Sequence, residues 1–367
     1  MARPSHVHFM EKALELAQKG RGCVSPNPMV GAVVAHYGKI VAEGFHAKAG
    51  EDHAEVAALK KLDPQYVEGA TLYVTLEPCD HQGKTPPCTE AILKSGIRRV
   101  VVGCRDPNPK VNGKGVARLK ESGIEVIEQV LFEECHRLNA IYNKYITTGM
   151  PFVLLKVAMT LDGKIATVKG DSKWITNAKC RQYVHILREE VDAILIGGGT
   201  LRKDNPLLTV RLPQPKKKRQ PTVIVVDETL EFPQKRNLFK VDREIIFMTG
   251  RQADLKQKEF LEKSGYSVWM FETDITGRID PMLFLRRLGE KKMTSVLVEG
   301  GGGVYASFME ARAVDRIIAM IAPKMFGGQG RDWLPNIAIP TVKDSLSLKN
   351  ISVKTIEDNI VLEGELS

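Results

Sequence analysis

Short apolar segments alternate with amphipathic helical segments along nearly the whole chain, and this alternation restricts the possible folds more than any other feature. In the N-terminal part, strand patterns occur at 29–35, 40–44, 71–76, 99–103 and near 125, with helical patterns at 5–20, 53–62, 88–94, 116–121 and 131–147. In the C-terminal part, strand patterns occur at 152–158, 193–196, 222–226, 244–248, 267–271 and 295–299, with helical patterns at 177–190, at 281–288 and from 304. Strands that alternate with helices predict α/β domains built in layers. We expect a three-layer α/β/α domain first and a second α/β unit with its own core after it.

One segment interrupts the alternation. Thr148-Gly149-Met150-Pro151 ends the helical pattern 131–147 with a glycine and a proline, and a strand pattern begins at Phe152. A chain of 367 residues is long enough for two domains of ordinary size. We therefore predict a first domain over residues 1–148 and a second over residues 149–367.

Composition excludes several classes of protein. Charged residues make up 26% of the chain and hydrophobic residues 43%, so collagen-like, coiled-coil and wholly disordered chains are excluded. No segment approaches the ~18 uncharged apolar residues that span a bilayer, and residues 1–20 are amphipathic rather than a signal peptide. We expect a cytoplasmic protein without a membrane partner. Six cysteines without a secretory signal indicate metal ligands before disulfides.

The net charge of +9 is compatible with nucleic acid and with small phosphorylated ligands. The basic run 216–219 lies among prolines and has no aromatic residues interleaved with its charges. A solvated loop therefore explains this run better than a nucleic-acid surface does, and no nucleic-acid partner is expected.

The strongest chemical signal is a set of three metal-ligand residues. His53 begins a His-Ala-Glu segment, Cys79 follows a proline, and Cys88 follows two prolines at the start of a predicted helix. One neutral histidine and two thiolates balance the charge of Zn²⁺, and three protein ligands leave the fourth position open, as in catalytic zinc sites. The helix dipole favours the Cys88 thiolate. The alternative is a closed structural site in which His81 is the fourth ligand.

Glu55 stands two residues after His53, an offset that leaves it free to carry protons instead of binding the metal. Zinc lowers the pKa of a bound water to ~7, and a neighbouring carboxylate can move protons to a ring nitrogen and a leaving amine. The pattern indicates hydrolytic deamination of an amino-heterocycle, since His-x-Glu with Pro-Cys-x-x-Cys is the signature of zinc deaminases. Here eight residues separate the two cysteines, which weakens a match to tRNA and cytidine deaminases.

Three further polar residues of the first domain are candidate substrate contacts, and each also has an ordinary structural explanation. Asn27 stands between two prolines and suits hydrogen bonding to the edge of a heterocycle, but an ordinary turn explains it equally well. His46 and Lys48 could neutralise a phosphate or simply lie in a surface loop.

Two glycine-rich turns, 197–199 and 300–303, each follow an apolar strand of the second domain. Backbone N–H groups in such turns can approach a pyrophosphate, which predicts a dinucleotide site, although neither turn fits the Rossmann Gly-x-Gly-x-x-Gly form. Arg188 and Arg211 could bind a substrate phosphate bidentately. For Arg188 the alternative is a solvated helix face.

Several short segments, taken together, form the pattern of a known enzyme family. In the first domain they are Pro26-Asn27-Pro28, His53-Ala54-Glu55, Thr75-Leu76-Glu77-Pro78-Cys79, Thr85-Pro86-Pro87-Cys88 and Asp106-Pro107-Asn108-Pro109. Those in the second are Lys156, Leu161-Asp162-Gly163, Trp174-Ile175-Thr176, 204–211 and Val298-Glu299-Gly300-Gly301. Together they closely resemble the bifunctional deaminase/reductases of riboflavin biosynthesis. The resemblance covers essentially the whole chain in order, and the eight-residue gap before Thr-Pro-Pro-Cys is specific to this deaminase branch.

The resemblance implies a cytidine-deaminase-like first domain and a dihydrofolate-reductase-like second domain. The first would remove the ring 2-amino group of 2,5-diamino-6-ribosylamino-4(3H)-pyrimidinone 5′-phosphate. The second would then reduce the ribosyl group with NADPH, giving 5-amino-6-ribitylamino-uracil 5′-phosphate. A symmetric homo-oligomer, a dimer or a tetramer, is expected for an enzyme of this size.

The site residues follow from the motifs and the resemblance together. Zinc is expected on His53, Cys79 and Cys88, with Glu55 as the catalytic residue. NADPH contacts are expected at Ala158, Trp174, Thr200, Asp204, Gly301, Gly302, Gly303, Val304, Tyr305, Ala306 and Ser307. Contacts to the phosphorylated pyrimidine are expected at Asn27, His46, Lys48, Asn108, Lys156, Ser172, Arg188, Leu208, Arg211 and Glu299. Lys156 and Asp162 are candidates for positioning the ring or moving protons.

Two hypotheses from other classes compete with this one. A nucleic-acid-editing deaminase with a basic accessory domain would account for the net charge, and a non-enzymatic zinc-stabilised binding module would account for the metal ligands. Neither explains the two glycine-rich turns of the second domain.

Overall fold

The computed structural model describes residues 5–82, 86–216, 220–335 and 337–366. The chain separates into two compact units, Met1–Gly149 and Met150–Ser367. Thr85 of the Thr-Pro-Pro-Cys motif and residues 217–219 of the basic run lie outside the described residues. No described helix has the length and apolar character that crossing a bilayer requires.

The first unit is built on a five-stranded mixed sheet. Its strands are β1 (Gly31–His36), β2 (Lys39–Phe45), β3 (Thr71–Leu76), β4 (Arg99–Cys104) and β5 (Glu125–Ile127). Its helices are α1 (His6–Gln18), α2 (Ala54–Leu59), α3 (Cys88–Ser95), α4 (Lys114–Glu121), α5 (Phe132–Leu138) and α6 (Ala140–Thr148). The strand order is β2-β1-β3-β4-β5, with β1 antiparallel to both neighbours and β3, β4 and β5 parallel.

Two glycines of this sheet show that helices cover both of its faces. A Cβ on Gly31 would lie 1.9 Å from the Ala13 carbonyl oxygen in α1, and a Cβ on Gly44 would lie 2.3 Å from the Ala54 carbonyl oxygen in α2. Gly44 pairs with Ala32, the residue after Gly31, and successive residues of a strand face opposite sides of the sheet. The helices α1 and α2 therefore lie on opposite faces, which confirms the three-layer prediction.

The helical pattern 131–147 forms two helices rather than the one expected. The helix α5 ends at Leu138 and α6 begins at Ala140, with Asn139 between them. The Asn139 side chain accepts a hydrogen bond from the Met29 N–H at 2.8 Å and donates one to the Met29 carbonyl at 2.9 Å. Because these hydrogen bonds join residues 110 positions apart, helical periodicity could not predict the break.

The described part of the second unit contains a nine-stranded sheet and a separate two-stranded sheet. Its strands are β6 (Phe152–Thr160), β7 (Lys164–Ala166), β8 (Ala193–Gly197), β9 (Thr222–Val226), β10 (Ile245–Thr249), β11 (Ser267–Met270), β12 (Ser295–Gly300), β13 (Arg316–Ala322), β14 (Arg331–Asp332), β15 (Leu348–Ile356) and β16 (Asn359–Leu366). Its helices are α7 (Ala178–Glu190), α8 (Gly198–Asp204), α9 (Leu255–Lys263), α10 (Pro281–Glu290) and α11 (Gly302–Glu310). The order of the large sheet is β11-β10-β9-β8-β12-β6-β13-β16-β15, and β7 pairs separately with β14.

The strands from β11 to β13 in this order are parallel, whereas β16 runs antiparallel to β13 and to β15. The carboxyl ends of the parallel strands therefore meet at one edge of the sheet, where ligands of open α/β sheets bind. Both glycine-rich turns lie at this edge. The helix α8 was not predicted because glycines disfavour helices, yet it begins at Gly198, directly after β8.

Candidate active sites

The three predicted metal ligands come together in the first unit. His53 precedes α2, Cys88 is the first residue of α3, and Cys79 lies on the loop after β3. The His53 Nδ1 lies 3.2 Å from the Cys88 Sγ and 3.6 Å from the Cys79 Sγ, and all three ligand atoms lie within 4.8 Å of one another. The Cys88 thiol and His53 hold the pKa of the Cys79 thiol well below its usual range, which makes Cys79 a thiolate at neutral pH.

This donor set fits a catalytic zinc ion. Nitrogen and sulfur atoms on a tetrahedral zinc lie about 3.5 Å apart, close to the spacings observed here. Among the described residues the cluster contains three ligands and no fourth. His81 is exposed and is not part of the cluster, so the alternative of a site closed by His81 is contradicted.

Glu55 lies buried beside this cluster without belonging to it. Its carboxyl is within hydrogen-bonding reach of the Cys88 thiol. Burial, assisted by the charge of Cys79, raises the pKa of Glu55 to about 7. A carboxyl group with such a pKa can both accept and release a proton near neutral pH.

Asn27 and His46 form a hydrogen-bonded pair next to the metal ligands. The Asn27 Nδ2 lies 3.0 Å from the His46 Nε2, the His46 Nδ1 lies 2.9 Å from the Asp52 carbonyl oxygen, and the rings of His46 and His53 are 5.4 Å apart. Burial lowers the pKa of His46. In the tautomer that these contacts favour, Nδ1 donates to Asp52 and Nε2 accepts from Asn27. A buried, neutral His46 does not suit the phosphate-neutralising role expected for it. Lys48 is exposed, so burial does not prevent it from contacting a phosphate.

Glu77 is a structural residue of this site to which the sequence assigned no role. Its buried carboxylate accepts hydrogen bonds from the backbone N–H groups of Asp106 at 3.3 Å, Gly113 at 2.9 Å and Val116 at 3.1 Å. These bonds hold the loop that carries the predicted substrate contact Asn108 against the end of β3. The signal available in the sequence was only its position, two residues before Cys79.

The Asn108 loop has a second anchor in Asp106. The Asp106 carboxylate accepts hydrogen bonds from the Asn108 N–H at 2.9 Å and from the Tyr142 hydroxyl at 2.9 Å. Asn108 itself is half-buried, and its side-chain oxygen accepts from the Lys110 N–H at 3.0 Å.

The second unit contains a cavity of about 1440 Å³ at the carboxyl edge of its parallel strands. Drug-sized pockets occupy ~300–1,000 Å³, so this one has room for two ligands together. The predicted contacts that line it are Lys156, Ala158, Ser172, Trp174, Arg188, Thr200, Asp204, Leu208, Arg211, Glu299, Gly301, Gly302, Gly303, Val304, Tyr305 and Ser307. Ala306 does not line it: this residue of α11 is 1% exposed and packs in the interior, so the contact expected there stays a prediction. Asp162 is also absent from the lining, and its carboxylate accepts from the Phe326 and Gly327 N–H groups instead.

The two glycine-rich turns pack against each other and form part of the wall. A Cβ on Gly197 would lie 2.7 Å from Val304, and a Cβ on Gly300 would lie 2.9 Å from the Thr200 hydroxyl. By contrast, nothing lies within 4 Å of a Cβ built on Gly199. Gly301 precedes α11 with φ +94°, a conformation that favours glycine. Close backbone approach at the start of a helix is what a pyrophosphate requires, so these turns fit a dinucleotide.

Arg188 pairs with a carboxylate in this wall. Its Nε and Nη2 donate to the two Glu299 oxygens at 2.6 and 2.8 Å, and its Nη1 donates to the Thr209 carbonyl at 3.1 Å. The side chain is 12% exposed, which contradicts a solvated helix face. Three of the five N–H groups of this guanidinium are therefore engaged by the protein itself.

Another arginine of the cavity makes fewer contacts with the protein than Arg188 does. Arg211 is exposed and donates to the Thr209 hydroxyl at 2.7 Å, leaving most of its guanidinium to the cavity. Burial lowers the pKa of Lys156, although Glu299 opposes this effect. No sequence motif indicated His185, which lines the cavity and whose pKa is lowered by burial and by the charges of Arg188 and Arg211.

Comparisons with known proteins find matches to both units of the chain. A family model described as the RibD C-terminal domain matches residues 151–362, and one described as the cytidine and deoxycytidylate deaminase zinc-binding region matches residues 3–104. The riboflavin biosynthesis protein RibD of Aquifex aeolicus is 42% identical over 362 residues, which cover 99% of each chain. The chain belongs to the RibD family. RibD of Escherichia coli is 34% identical over 366 residues, covering 97% of this chain and 98% of the relative.

Solved structures of the RibD family match the chain over its length. Acinetobacter baumannii RibD superimposes with a TM-score of 0.87 at 34% identity, covering 99% of each chain. A Thermotoga maritima protein described as a diaminohydroxyphosphoribosylaminopyrimidine deaminase/5-amino-6-(5-phosphoribosylamino)uracil reductase superimposes with a TM-score of 0.83 at 40% identity, again covering 99% of each chain. The cytidine-deaminase-like first domain and the dihydrofolate-reductase-like second domain are thereby confirmed. This RibD family member is a bifunctional deaminase/reductase of riboflavin biosynthesis, with zinc and NADPH as its cofactors.

Proposed function

We propose that residues 1–148 deaminate 2,5-diamino-6-ribosylamino-4(3H)-pyrimidinone 5′-phosphate and that residues 149–367 reduce the product. The first step replaces the ring 2-amino group by oxygen from water and releases ammonia. The second reduces the ribosyl group to ribityl and gives 5-amino-6-ribitylamino-uracil 5′-phosphate. The observation that carries the first step is the buried Glu55 carboxyl beside the His53, Cys79 and Cys88 ligand atoms.

In the deaminase site, each residue has a separate task. Zinc held by His53, Cys79 and Cys88 would supply a Lewis acid that makes water nucleophilic at neutral pH. The Glu55 carboxylate accepts the proton that the attacking water loses and delivers it to the ring nitrogen and then to the departing amine. Its pKa of about 7 suits both transfers.

Substrate orientation in this site is assigned to Asn27 and Asn108. The hydrogen bond between Asn27 and His46 directs the Asn27 amide, and the remaining oxygen of that amide is available to a heterocycle edge. Asn108 is held in place by the contacts of Asp106 and Glu77 with its loop. We assign the phosphate to exposed cations such as Lys48 rather than to His46.

In the reductase site, NADPH would supply the hydride equivalent, and the protein positions the two reactants. The glycine turns at 197–199 and 300–303 hold the pyrophosphate through backbone N–H groups. Arg211 binds the substrate phosphate with the guanidinium edge that the protein leaves free. The Glu299 carboxylate, oriented by Arg188, accepts from sugar hydroxyls, and the half-buried Lys156 lies in the same part of the wall, where its ammonium can hold or release a proton.

The experiment that tests this function reads the two reactions separately. The purified, zinc-loaded full chain is incubated with the diaminopyrimidine ribotide, with and without NADPH, while ammonia release and NADPH absorbance are recorded. Ammonia release is expected without NADPH, and NADPH oxidation is expected only once deaminated product has formed. Absence of ammonia release from the zinc-loaded chain would overturn the deaminase assignment, and NADPH stable in the presence of authentic deaminated product would overturn the reductase assignment.

We also propose that the enzyme works in the cytoplasm as a homo-oligomer, a dimer or a tetramer. Symmetric oligomers are common among enzymes of this size, which supports the assignment. Light scattering on the purified chain measures the oligomer directly, and a monomeric mass at micromolar concentration would refute this part of the proposal.

A further inference from the structure

Thr209 is buried, and it holds the side chains of three basic residues that line the reductase cavity. The His185 Nδ1 lies 2.8 Å from the Thr209 carbonyl oxygen, and the Arg188 Nη1 donates to the same oxygen at 3.1 Å. The Arg211 Nη1 donates to the Thr209 hydroxyl at 2.7 Å. One buried residue therefore gathers three basic side chains at one place in the cavity wall.

Only one of these three side chains has a carboxylate partner. Glu299 neutralises Arg188, since both of its oxygens accept from that guanidinium. No carboxylate of the described chain pairs with Arg211, and burial together with the charge of Arg188 lowers the pKa of Arg211. The three basic residues and Glu299 therefore carry one uncompensated positive charge while His185 is neutral.

Arg243 supplies another positive charge next to the segment that carries Thr209. Its buried guanidinium donates to the Leu208 carbonyl at 2.6 Å and to the Leu207 carbonyl. Burial, and then the charge of Arg188, lowers the pKa of Arg243 to about 10, so the guanidinium is still charged at neutral pH. Uncompensated positive charges beside a cavity favour the binding of an anion there.

The substrate proposed for this cavity brings such an anion. Its phosphate monoester has a second pKa of about 6 and is mainly a dianion at neutral pH. The two glycine turns are assigned to the pyrophosphate of the dinucleotide, which leaves the basic residues at Thr209 for the substrate phosphate. Arg211 alone matches only one of the two charges of this phosphate.

The contacts of His185 decide which of its ring nitrogens can face the phosphate. Within the described chain both contacts of the ring are made by Nδ1, with the Thr209 carbonyl at 2.8 Å and with the Arg211 N–H at 3.4 Å. The shorter contact places a proton on Nδ1, because a carbonyl oxygen only accepts. In a neutral ring Nε2 then carries a lone pair, which repels a phosphate oxygen unless a proton lies between them.

The charges that face His185 keep it neutral until a phosphate is present. Burial, followed by the charges of Arg188 and Arg211, lowers the pKa of His185, while the Thr209 carbonyl and Glu299 oppose this effect. A bound dianion changes the balance, since it favours the protonated ring as strongly as the two arginines disfavour it.

We infer that His185 is a further ligand of the substrate phosphate in the reductase site, whose Nε2 holds a proton against a phosphate oxygen, and that this proton is taken up from solvent when the phosphorylated pyrimidine binds. The inference rests on the proposed reductase site. Neutral imidazole, a proton and the phosphate dianion give imidazolium bound to the dianion, and no covalent bond of the substrate forms or breaks. His185 therefore determines affinity for the phosphate rather than the rate of hydride transfer.

Two substitutions separate the two ring nitrogens. His185→Asn keeps an amide N–H near the Nδ1 position for Thr209 and removes Nε2, whereas His185→Gln places near Nε2 an amide that cannot gain a proton. Lys179→Gln is the matched control, because it removes an exposed positive charge from the same helix outside the cavity lining.

Steady-state kinetics of the full chain on the deaminated substrate give the first readout. His185→Asn is expected to raise KM for this substrate about tenfold with kcat within about twofold of wild type, because a hydrogen bond to a charged group is lost. The KM for NADPH should not change, which also shows that the variant is folded, and Lys179→Gln should behave as wild type. An unchanged substrate KM in His185→Asn would overturn the inference.

The same substrate without its phosphate distinguishes a phosphate ligand from a residue that only supports the fold. Wild type and His185→Asn should have equal kcat/KM on the phosphate-free compound. A loss of the same size on both compounds would show that His185 acts through the structure of the cavity and would overturn the inference.

Calorimetry measures the proton directly. The full chain loaded with NADP⁺ is titrated with the deaminated substrate near neutral pH in two buffers that differ in ionisation enthalpy. Uptake should approach about one proton per phosphate in wild type and fall close to zero in His185→Gln. Because a proton is consumed, KM of the wild type should also rise with pH above about 6.5, whereas that of His185→Gln should stay flat.

These measurements separate the inference from the reductase assignment. Equal proton uptake in wild type and His185→Gln would overturn the role of His185 even if the enzyme reduces its substrate. Substrate binding with proton uptake but without NADPH oxidation would refute the assigned reaction and support the phosphate site. Absence of substrate binding to the wild type would refute the proposed reductase site and the inference with it.

Discussion

The Arg188 guanidinium and the Glu299 carboxylate form a bidentate ion pair, with Nε–Oε1 and Nη2–Oε2 distances of 2.6 and 2.8 Å, in the wall of the reductase cavity. The two residues stand 111 positions apart, on α7 and β12. Burial alone would raise the pKa of Glu299, but Arg188 and then Lys156 reverse the effect and lower it. The pair thus keeps a negative charge buried at the point where sugar hydroxyls are expected to bind.

Removing one partner of this pair should destabilise the second unit. Glu299→Gln leaves the Arg188 charge buried without its counterion, which typically costs about 3–5 kcal/mol. All three tryptophans of the chain, Trp174, Trp269 and Trp333, belong to the second unit, so denaturant unfolding followed by tryptophan fluorescence reports on it.

The matched control for this prediction is the exposed pair of Arg251 and Glu272. Glu272→Gln should leave the midpoint unchanged within error, because exposed ion pairs contribute little. In Glu299→Gln, reduction should be lost while ammonia release continues. Equal midpoints for the two variants would contradict the structural role of the buried pair.

Glu55→Gln should abolish deamination but preserve zinc binding and the reductase activity. The amide cannot accept the proton of the attacking water, and losing a general base costs about 10²–10⁴ in rate. Ammonia release, zinc content and NADPH oxidation on the deaminated substrate are measured on the same preparation. Glu90→Gln, on the exposed side of α3, is the control and should behave as wild type. Near-normal ammonia release from Glu55→Gln would rule out this mechanism.

Removing zinc should separate the two activities. Dialysis against a chelator is expected to abolish ammonia release, leave reduction of the deaminated substrate intact and be reversed by added zinc, because the three ligands lie in the first unit only. Cys88→Ser should lose the metal as measured by elemental analysis, whereas Cys23→Ser, outside the cluster, should retain it. Loss of both activities on chelation would show that the metal also supports the reductase.

Asp106 should make the first unit less stable as pH rises from about 4 to 6. Burial raises the pKa of the Asp106 carboxyl from 3.8 to about 6. Between these values the folded state binds the proton more tightly than the unfolded chain does, so the free energy of unfolding falls with rising pH, by at most about 3 kcal/mol. Below pH 4 the carboxyl is protonated in both states and the penalty is absent.

Hydrogen exchange of the β4 peptide, corrected for intrinsic exchange rates, measures this pH dependence. Asp106→Asn keeps an acceptor for the Tyr142 hydroxyl and should flatten the decrease between pH 4 and 6, whereas Glu68→Gln on an exposed loop should not. A profile that is the same for wild type and Asp106→Asn would show that the carboxyl titrates normally.

Local sequence patterns were sufficient for most of the secondary structure. The strands β3 and β9 were predicted at their observed bounds, and the prediction for α7 began one residue early. The three ligands were also predictable, since Cys79 and Cys88 each follow a proline and His53 precedes Glu55 by two residues, a pattern typical of zinc deaminases.

Partnerships between distant residues could not be predicted in this way. The break at Asn139, the backbone bonds of Glu77 and the burial of Ala306 depend on what the rest of the chain packs against them. The ion pair of Arg188 could not be predicted for the same reason: its sequence neighbours include Glu189 and Glu190, but the carboxylate that engages it is Glu299 on β12.

Residue type and immediate sequence neighbours were therefore sufficient to predict the metal ligands, the turns and most strands of this protein. Which charges face each other, which acid stays buried and which arginine remains free for a phosphate depend on contacts more than a hundred residues apart along the chain, as for Arg188 and Glu299. Desolvation and Coulomb interactions act through space rather than along the sequence, and only the folded chain defines those distances.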